Sequence, residues 1–166
     1  MTDFEALLRA LSTAGVRFIV IGGAAATAHG SARLTNDLDI VYARDEENVS
    51  RLSRALAPFD PYLRGAPAGL PFVWDEKTLS HGLNFTLDTS VGPIDVLGEI
   101  VAGGRYEDLV PHSMTLTIFG YPCLCLGVEA LIANKRAVGR PKDLEAIAEL
   151  ELIADRIAKK DDPDVS

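Results

Sequence analysis

Apolar residues recur along this chain at helical and at strand spacing by turns, and the change of period marks out its elements. Phe4, Leu7, Leu8 and Leu11 share one helical face behind Thr2-Asp3-Phe4-Glu5, which has the spacing of a capping box, and Gly15 predicts the stop. Arg17 to Ile21 is mostly apolar and predicts a strand buried on both faces. Gly22-Gly23 turns the chain into a short helix over Ala24 to His29, with Gly30 as its stop, and Leu38 to Tyr42 predicts the second strand. A helix from Asp45 carries Val49, Leu52 and Leu56 inward and ends before Pro58.

Prolines and glycines crowd the stretch from Pro58 to Gly82, which predicts a loop with at most a short strand around Phe72-Val73-Trp74. Leu83, Phe85 and Leu87 then alternate with polar residues. Ser90-Val91-Gly92-Pro93 turns the chain into Ile94 to Leu97, so a hairpin is expected. Met114 to Phe119 and Tyr121 to Leu126 make a second pair around Gly120. Helical spacing returns from Val128, breaks at Gly139-Arg140-Pro141, and resumes through Leu144, Ile147, Ala148, Ile153 and Ile157. The pattern predicts one α/β or α+β domain over residues 1–160, with a short mixed sheet flanked by helices and a helical C-terminus. Residues 161–166 read as an acidic, disordered tail.

The composition agrees with a packed domain. The chain has 166 residues, 48% of them apolar, enough to bury a core without disulfides or metal staples. Cys123 and Cys125, two apart in a strand, are placed for buried reduced thiols rather than for a bridge. The formal charge of -8 excludes a protein that coats nucleic acid by charge alone, while leaving room for a local basic patch. No apolar run is long enough to span a bilayer, and no basic segment followed by an apolar run opens the chain, so a cytoplasmic location and no membrane partner are expected. His29, His81 and His112 have no metal-ligand spacing.

The chemistry gathers in "IGGAAATAHGSARLTNDLDIVY", residues 21 to 42. Aspartate is disfavoured in strands, yet Asp37 and Asp39 interrupt one. Residues i and i+2 of a strand share a face, which sets these carboxylates about 7 Å apart at the backbone. Like charges so close repel unless a cation lies between them, and Mg2+ takes one or two carboxylates together with phosphate oxygens. Asp95, between Ile94 and Val96, supplies a third carboxylate, and Asp88 in the preceding strand is the alternative. Three carboxylates suit two ions about 3.5–4 Å apart. An exposed polar face, or aspartates bonded to turn amides, is the structural alternative.

Gly22-Gly23, the thirteen-residue gap, Asp37-Leu38-Asp39-Ile40 and the later Ile94-Asp95-Val96 resemble the signature of the DNA polymerase β-like nucleotidyltransferase superfamily. With Arg33 and Thr35 before the aspartates and "ANKRAVGRPKDLEAIAEL" near the end, the chain is similar to the small AbiEii-like toxins of toxin–antitoxin systems. The resemblance implies a nucleotidyltransferase-like fold and Mg2+-dependent transfer of a nucleoside monophosphate from a nucleoside triphosphate such as ATP to a hydroxyl. It implies metal ligation by Asp37, Asp39 and Asp95, with Asp95 assisting deprotonation of the acceptor. Gly22, Gly23, Arg33, Thr35 and Lys135 would then hold the nucleotide. Many members carry serine at the position of Gly23, and the toxins are usually longer. The acceptor stays open between a tRNA end, a protein and a small molecule, and a cognate antitoxin or other partner protein is implied. A minimal chain of this kind is alternatively a non-catalytic, partner-binding module.

Overall fold

The computed structural model describes residues 2–161, so the tail expected over 161–166 lies, beyond Asp161, outside the described residues. Seven strands form one mixed sheet flanked by helices. The chain runs α1 (Phe4–Thr13), β1 (Phe18–Ile21), α2 (Gly22–Ala28), β2 (Leu38–Tyr42), α3 (Glu46–Leu56), β3 (Tyr62–Leu63), α4 (Glu76–His81), β4 (Asn84–Asp88) and β5 (Ile94–Leu97). A two-stranded ribbon follows, β6 (Glu99–Ile100) and β7 (Gly104–Arg105), then α5 (Tyr106–Leu109), β8 (Ser113–Ile118), β9 (Tyr121–Leu126), α6 (Val128–Val138) and α7 (Pro141–Lys160). The main sheet has the order β3-β4-β5-β2-β1-β9-β8. β2 pairs with β5, and β1 with β9, in parallel, and the remaining neighbours are antiparallel.

Local chemistry explains most boundaries. Asp45 caps α3 through the amide of Asn48, and Pro58 ends it. β1 is buried along its whole length, as its unbroken apolar run predicts. Both expected hairpins form, β4–β5 and β8–β9. Gly139 closes α6 in the left-handed region and Pro141 opens α7, the helix-stop and helix-start chemistry that the break there predicts. Cys123 and Cys125 are free and buried, and burial pushes the Cys125 thiol up to about 12. No helix among the described residues is long and apolar enough to cross a membrane.

Three expectations need correction. The cap of α1 is Asp3, whose carboxylate accepts from the Ala6 amide at 3.0 Å, while the Thr2 hydroxyl donates to the Asn36 carbonyl instead. No strand forms at residues 72–74. Trp74 docks its indole N–H on the Ser53 carbonyl of α3 at 2.9 Å, and the apolar residues there pack as loop. α4 follows, capped by Asp75 through the Thr78 amide at 2.8 Å, and the two-residue β3 precedes it. The Asp75-x-x-Thr78 cap was visible in the sequence, but the surrounding prolines and glycines masked it.

Asn48 holds the opening of the β1–β2 pair. Fully buried, it accepts from the Arg17 amide at 2.7 Å and donates to the carbonyls of Arg17 at 3.1 Å and Ala43 at 2.7 Å. Asn48→Ala takes this partner from the Arg17 amide and the Ala43 carbonyl, while the Arg17 carbonyl keeps the Ala43 amide at 3.2 Å, so a loss of roughly 2–3 kcal/mol is expected in urea denaturation. A change within about 0.5 kcal/mol of wild type would show that water replaces this latch.

Candidate active site

Strand register assembles the site. Asp39 on β2 lies directly opposite Asp95 on the parallel β5, and Asp95 lies opposite Thr86 on β4. Arg64, immediately after β3, continues the row by donating its amide to the Thr86 carbonyl at 3.0 Å. Cross-strand partners share a face, so Asp39, Asp95, Thr86 and Arg64 stand side by side across four neighbouring stretches of chain. On the other flank Ile21 pairs with Asp39, which brings Gly22 against the Asp39 side chain.

The glycines serve as close-approach residues here. Gly22 has φ +64°, and a Cβ on it would lie 2.3 Å from Asp39 Oδ2. A Cβ on Gly23 would lie 2.6 Å from Thr35 Oγ1 and 2.8 Å from Thr35 Cβ. The room that a serine would need at position 23 is therefore filled by Thr35. Both glycines begin α2 itself rather than preceding it, and the helix is only seven residues long.

All eight residues singled out in the sequence line one cleft of about 560 Å³: Gly22, Gly23, Arg33, Thr35, Asp37, Asp39, Asp95 and Lys135. Their arrangement is uneven. Asp39 and Asp95 meet, and each keeps one buried oxygen, Oδ1, without a hydrogen-bond donor. Asp37 lies one residue before β2, outside the strand, with Oδ2 3.9 Å from an Arg64 nitrogen. Among the described residues no group of three His, Cys, Asp or Glu side chains is close enough to hold an ion as it stands. The donors nevertheless suit a hard divalent cation in kind: they are all carboxylate oxygens, and two of them are bare and buried.

Burial, then the neighbouring Asp95 carboxyl, then Asp37, pushes Asp39 up to about 7, and Arg64 only partly offsets this. Asp88, the alternative third carboxylate, is more than half exposed and ion-paired with Arg64 at 3.1 Å. The cleft's other wall comes from the C-terminal helices. Asp143, almost fully buried, accepts from the Arg140 amide at 3.2 Å and from Arg140 Nε at 2.6 Å, and it lies 3.6 Å from Lys135 Nζ. Those contacts hold its carboxyl below the usual range, the Arg140 hydrogen bond most of all. Asp143 thus places Lys135. Glu149 of α7 accepts from the Ser31 hydroxyl at 2.5 Å and the Ala32 amide at 3.2 Å, tying down the loop that carries Arg33 and Thr35.

Arg64 and Glu149 had no signal in the sequence, and the first-turn position of Asp143 suggested only a helix-start charge. Each acts through a partner far along the chain, and only the register and the α6–α7 packing reveal which.

Solved structures share this fold. The chain is similar to a protein of Thermotoga maritima assigned as a nucleotidyltransferase, at 15% identity and TM-score 0.57, over 90% of this chain and 94% of that one. It is similar to ANT(2'')-Ia in complex with adenylyl-2''-tobramycin, at 15% identity and TM-score 0.56, over 94% and 95%. An antigenic nucleotidyltransferase-like protein of Paracoccidioides brasiliensis matches at 16% identity and TM-score 0.53, over 90% and 77%. No family model matches the sequence, and no curated protein does. The fold is that of the nucleotidyltransferases.

Two predictions follow from the crowding around Asp39 and Gly23. With its pKa near 7 in the fold against 3.8 as an ordinary aspartate, Asp39 binds more protons folded than unfolded across that window. Stability contributed at low pH is therefore lost as pH rises from about 4 to about 7. Asp39→Asn removes this loss, so it is expected to melt a few degrees above wild type at pH 8, with the gap closing toward pH 4. Identical melting at pH 8 would mean that Asp39 ionises without penalty. Gly23→Ala drives its methyl into Thr35 and is expected to lose roughly 1–3 kcal/mol. The double variant Gly23→Ala/Thr35→Gly should lose less than the sum of the two singles in denaturant titrations, and strict additivity would exclude the contact.

Proposed function

We propose that the protein is a metal-dependent nucleotidyltransferase. It moves a nucleoside monophosphate from a nucleoside triphosphate to a hydroxyl and releases pyrophosphate. One observation carries this reading: Asp39 and Asp95 are paired across parallel strands, each with a buried oxygen that lacks a directed hydrogen bond, against glycine backbone that admits close approach.

Asp39 and Asp95, with Asp37 completing the set, would hold Mg2+, which would supply neutralisation of the triphosphate charge. The chain's own residues do the rest. The backbone at Gly22 and Gly23 lets phosphate oxygens approach closely. Lys135 meets the triphosphate charge from the opposite wall, where Asp143 keeps it facing the cleft, and Arg33 meets it from the loop before β2. Asp95 receives the proton of the attacking hydroxyl as the bond to the α-phosphorus forms and the pyrophosphate leaves. Adenylyl-2''-tobramycin bound to one neighbour of the same fold supports nucleotidyl transfer to a hydroxyl as the reaction class. The finer likeness to AbiEii-like toxins rests on Arg33, Thr35 and the C-terminal segment. On that reading the chain works in the cytoplasm and is restrained by a cognate antitoxin.

Transfer of label from an α-32P nucleoside triphosphate to tRNA, to protein and to small alcohols tests the proposal. Asp39→Asn and Asp95→Asn are each expected to lose at least about a hundredfold in rate while staying folded by circular dichroism. Asp88→Asn should retain most of the activity. Wild-type rates in both of the first two variants would sink the assignment.

A further inference from the structure

Among the described residues, Arg64 is the cation held against Asp37, Asp88 and Asp95 together. One terminal nitrogen lies 2.9 Å from Asp95 Oδ1, the other 3.9 Å from Asp37 Oδ2, and Nε donates to Asp88 at 3.1 Å. It is anchored in two further ways, by the backbone bond to Thr86 and by donation from Nη2 to the Leu87 carbonyl at 2.8 Å. The guanidinium is therefore fixed by β3 and β4, not carried on a free loop. It is about a quarter exposed, and it is absent from the cleft lining, so it approaches the carboxylates from the β4 side. The contact with Asp95 Oδ1 is an ion pair without a well-directed hydrogen bond, which leaves that oxygen free of a donor.

We propose that Arg64 is the built-in counter-ion of the carboxylate site, holding its affinity for divalent ions low until a triphosphate arrives with negative charge of its own. The proposal rests on the metal-dependent reading above. Two of the three carboxylates assigned to the ion, Asp37 and Asp95, already face this fixed positive charge. An incoming cation gains less from carboxylates so neutralised, and it meets repulsion from the guanidinium. A nucleotide's phosphates reverse the balance, so the ion loads together with its substrate. Arg64 acts through Asp37 and Asp95 and is a positioning residue for charge rather than a catalytic one.

Mn2+ titration of the whole chain without nucleotide, followed by electron paramagnetic resonance of the free ion, tests this without reference to turnover. Arg64→Gln removes the charge and keeps a donor for the Leu87 carbonyl. It is expected to bind Mn2+ on the order of ten- to a hundredfold more tightly than wild type. Arg64→Lys restores the charge and should bind as wild type does. A structural role alone would weaken both variants together. Unchanged or weaker binding in Arg64→Gln overturns the counter-ion role, and if wild type still binds Mn2+ the metal reading survives. If neither wild type nor Arg64→Gln binds Mn2+, even with a nucleoside triphosphate present, both proposals fall together. Thermal melts of each variant, run alongside, confirm that the folded chain is being titrated.

Discussion

The parallel pairing of β2 with β5 is the constraint on which the rest of the site depends. Any slip by one residue would turn Asp39 or Asp95 to the opposite face and put Ile40 or Val96 in its place. Both strands alternate apolar residues into the core, Leu38 and Ile40 on one and Ile94 and Val96 on the other, all buried. The hydrophobic burial that fixes the register therefore also forces the two carboxylates together. The chain does not relieve that repulsion by moving either group. It accepts a raised Asp39 pKa and places Arg64 beside the pair.

A second constraint joins the two walls of the cleft. The loop between α2 and β2 carries Arg33, Thr35 and Asp37, and its internal hydrogen bonds are short-range, from the Arg33 amide to Ser31 Oγ and from Thr35 Oγ1 to the Asp37 carbonyl. Glu149 grips its start through Ser31 and Ala32, and the Thr2 hydroxyl reaches the Asn36 carbonyl near its end. The N-terminal residues and the last helix thus both help to set a segment that neither adjoins in sequence. Buried Asp143 plays the matching part on the facing wall, where it holds Lys135 and Arg140 at the junction of α6 and α7. A buried carboxylate with two cationic partners and a backbone donor is well satisfied, unlike Asp39, which keeps a buried oxygen without a hydrogen-bond partner.

Much of the fold was legible because its signals are local. Periodicity located α1, α3 and both hairpins, and Gly139-Arg140-Pro141 marked the join of the last two helices. The residues that the structure gathers in one cleft stood out for the same reason: a glycine pair, an Asp-x-Asp and a lone aspartate between apolar residues are short patterns. Residues 58–82 were not. There the elements are two to six residues long, and what orders them is contact with α3 and β4 rather than their own sequence. Arg64 sits inside that stretch, so the cation that balances the carboxylates was hidden in the region where sequence patterns say least. Asp37 shows the opposite error. Strand parity set it beside Asp39, but the strand begins one residue later, and its side chain is drawn toward Arg64.

The position of Thr35 bears on how this chain departs from the usual Gly-Ser form of the turn. A serine at position 23 would crowd the threonine at position 35, since a Cβ there would lie 2.8 Å from the Thr35 Cβ and one of the two would have to shift. Thr35 Oγ1 donates to the Asp37 carbonyl at 3.2 Å, so its hydroxyl is held at the mouth of the cleft between the glycines and the first aspartate. Gly23 is then a condition for Thr35 rather than a missing serine. The polar group has moved from the helix start to the facing loop, and that loop depends on Glu149 for its position. The turn, the loop and the last helix consequently form one mechanical unit, and the short α2 can be as bare as its alanines make it because its neighbours supply the side chains.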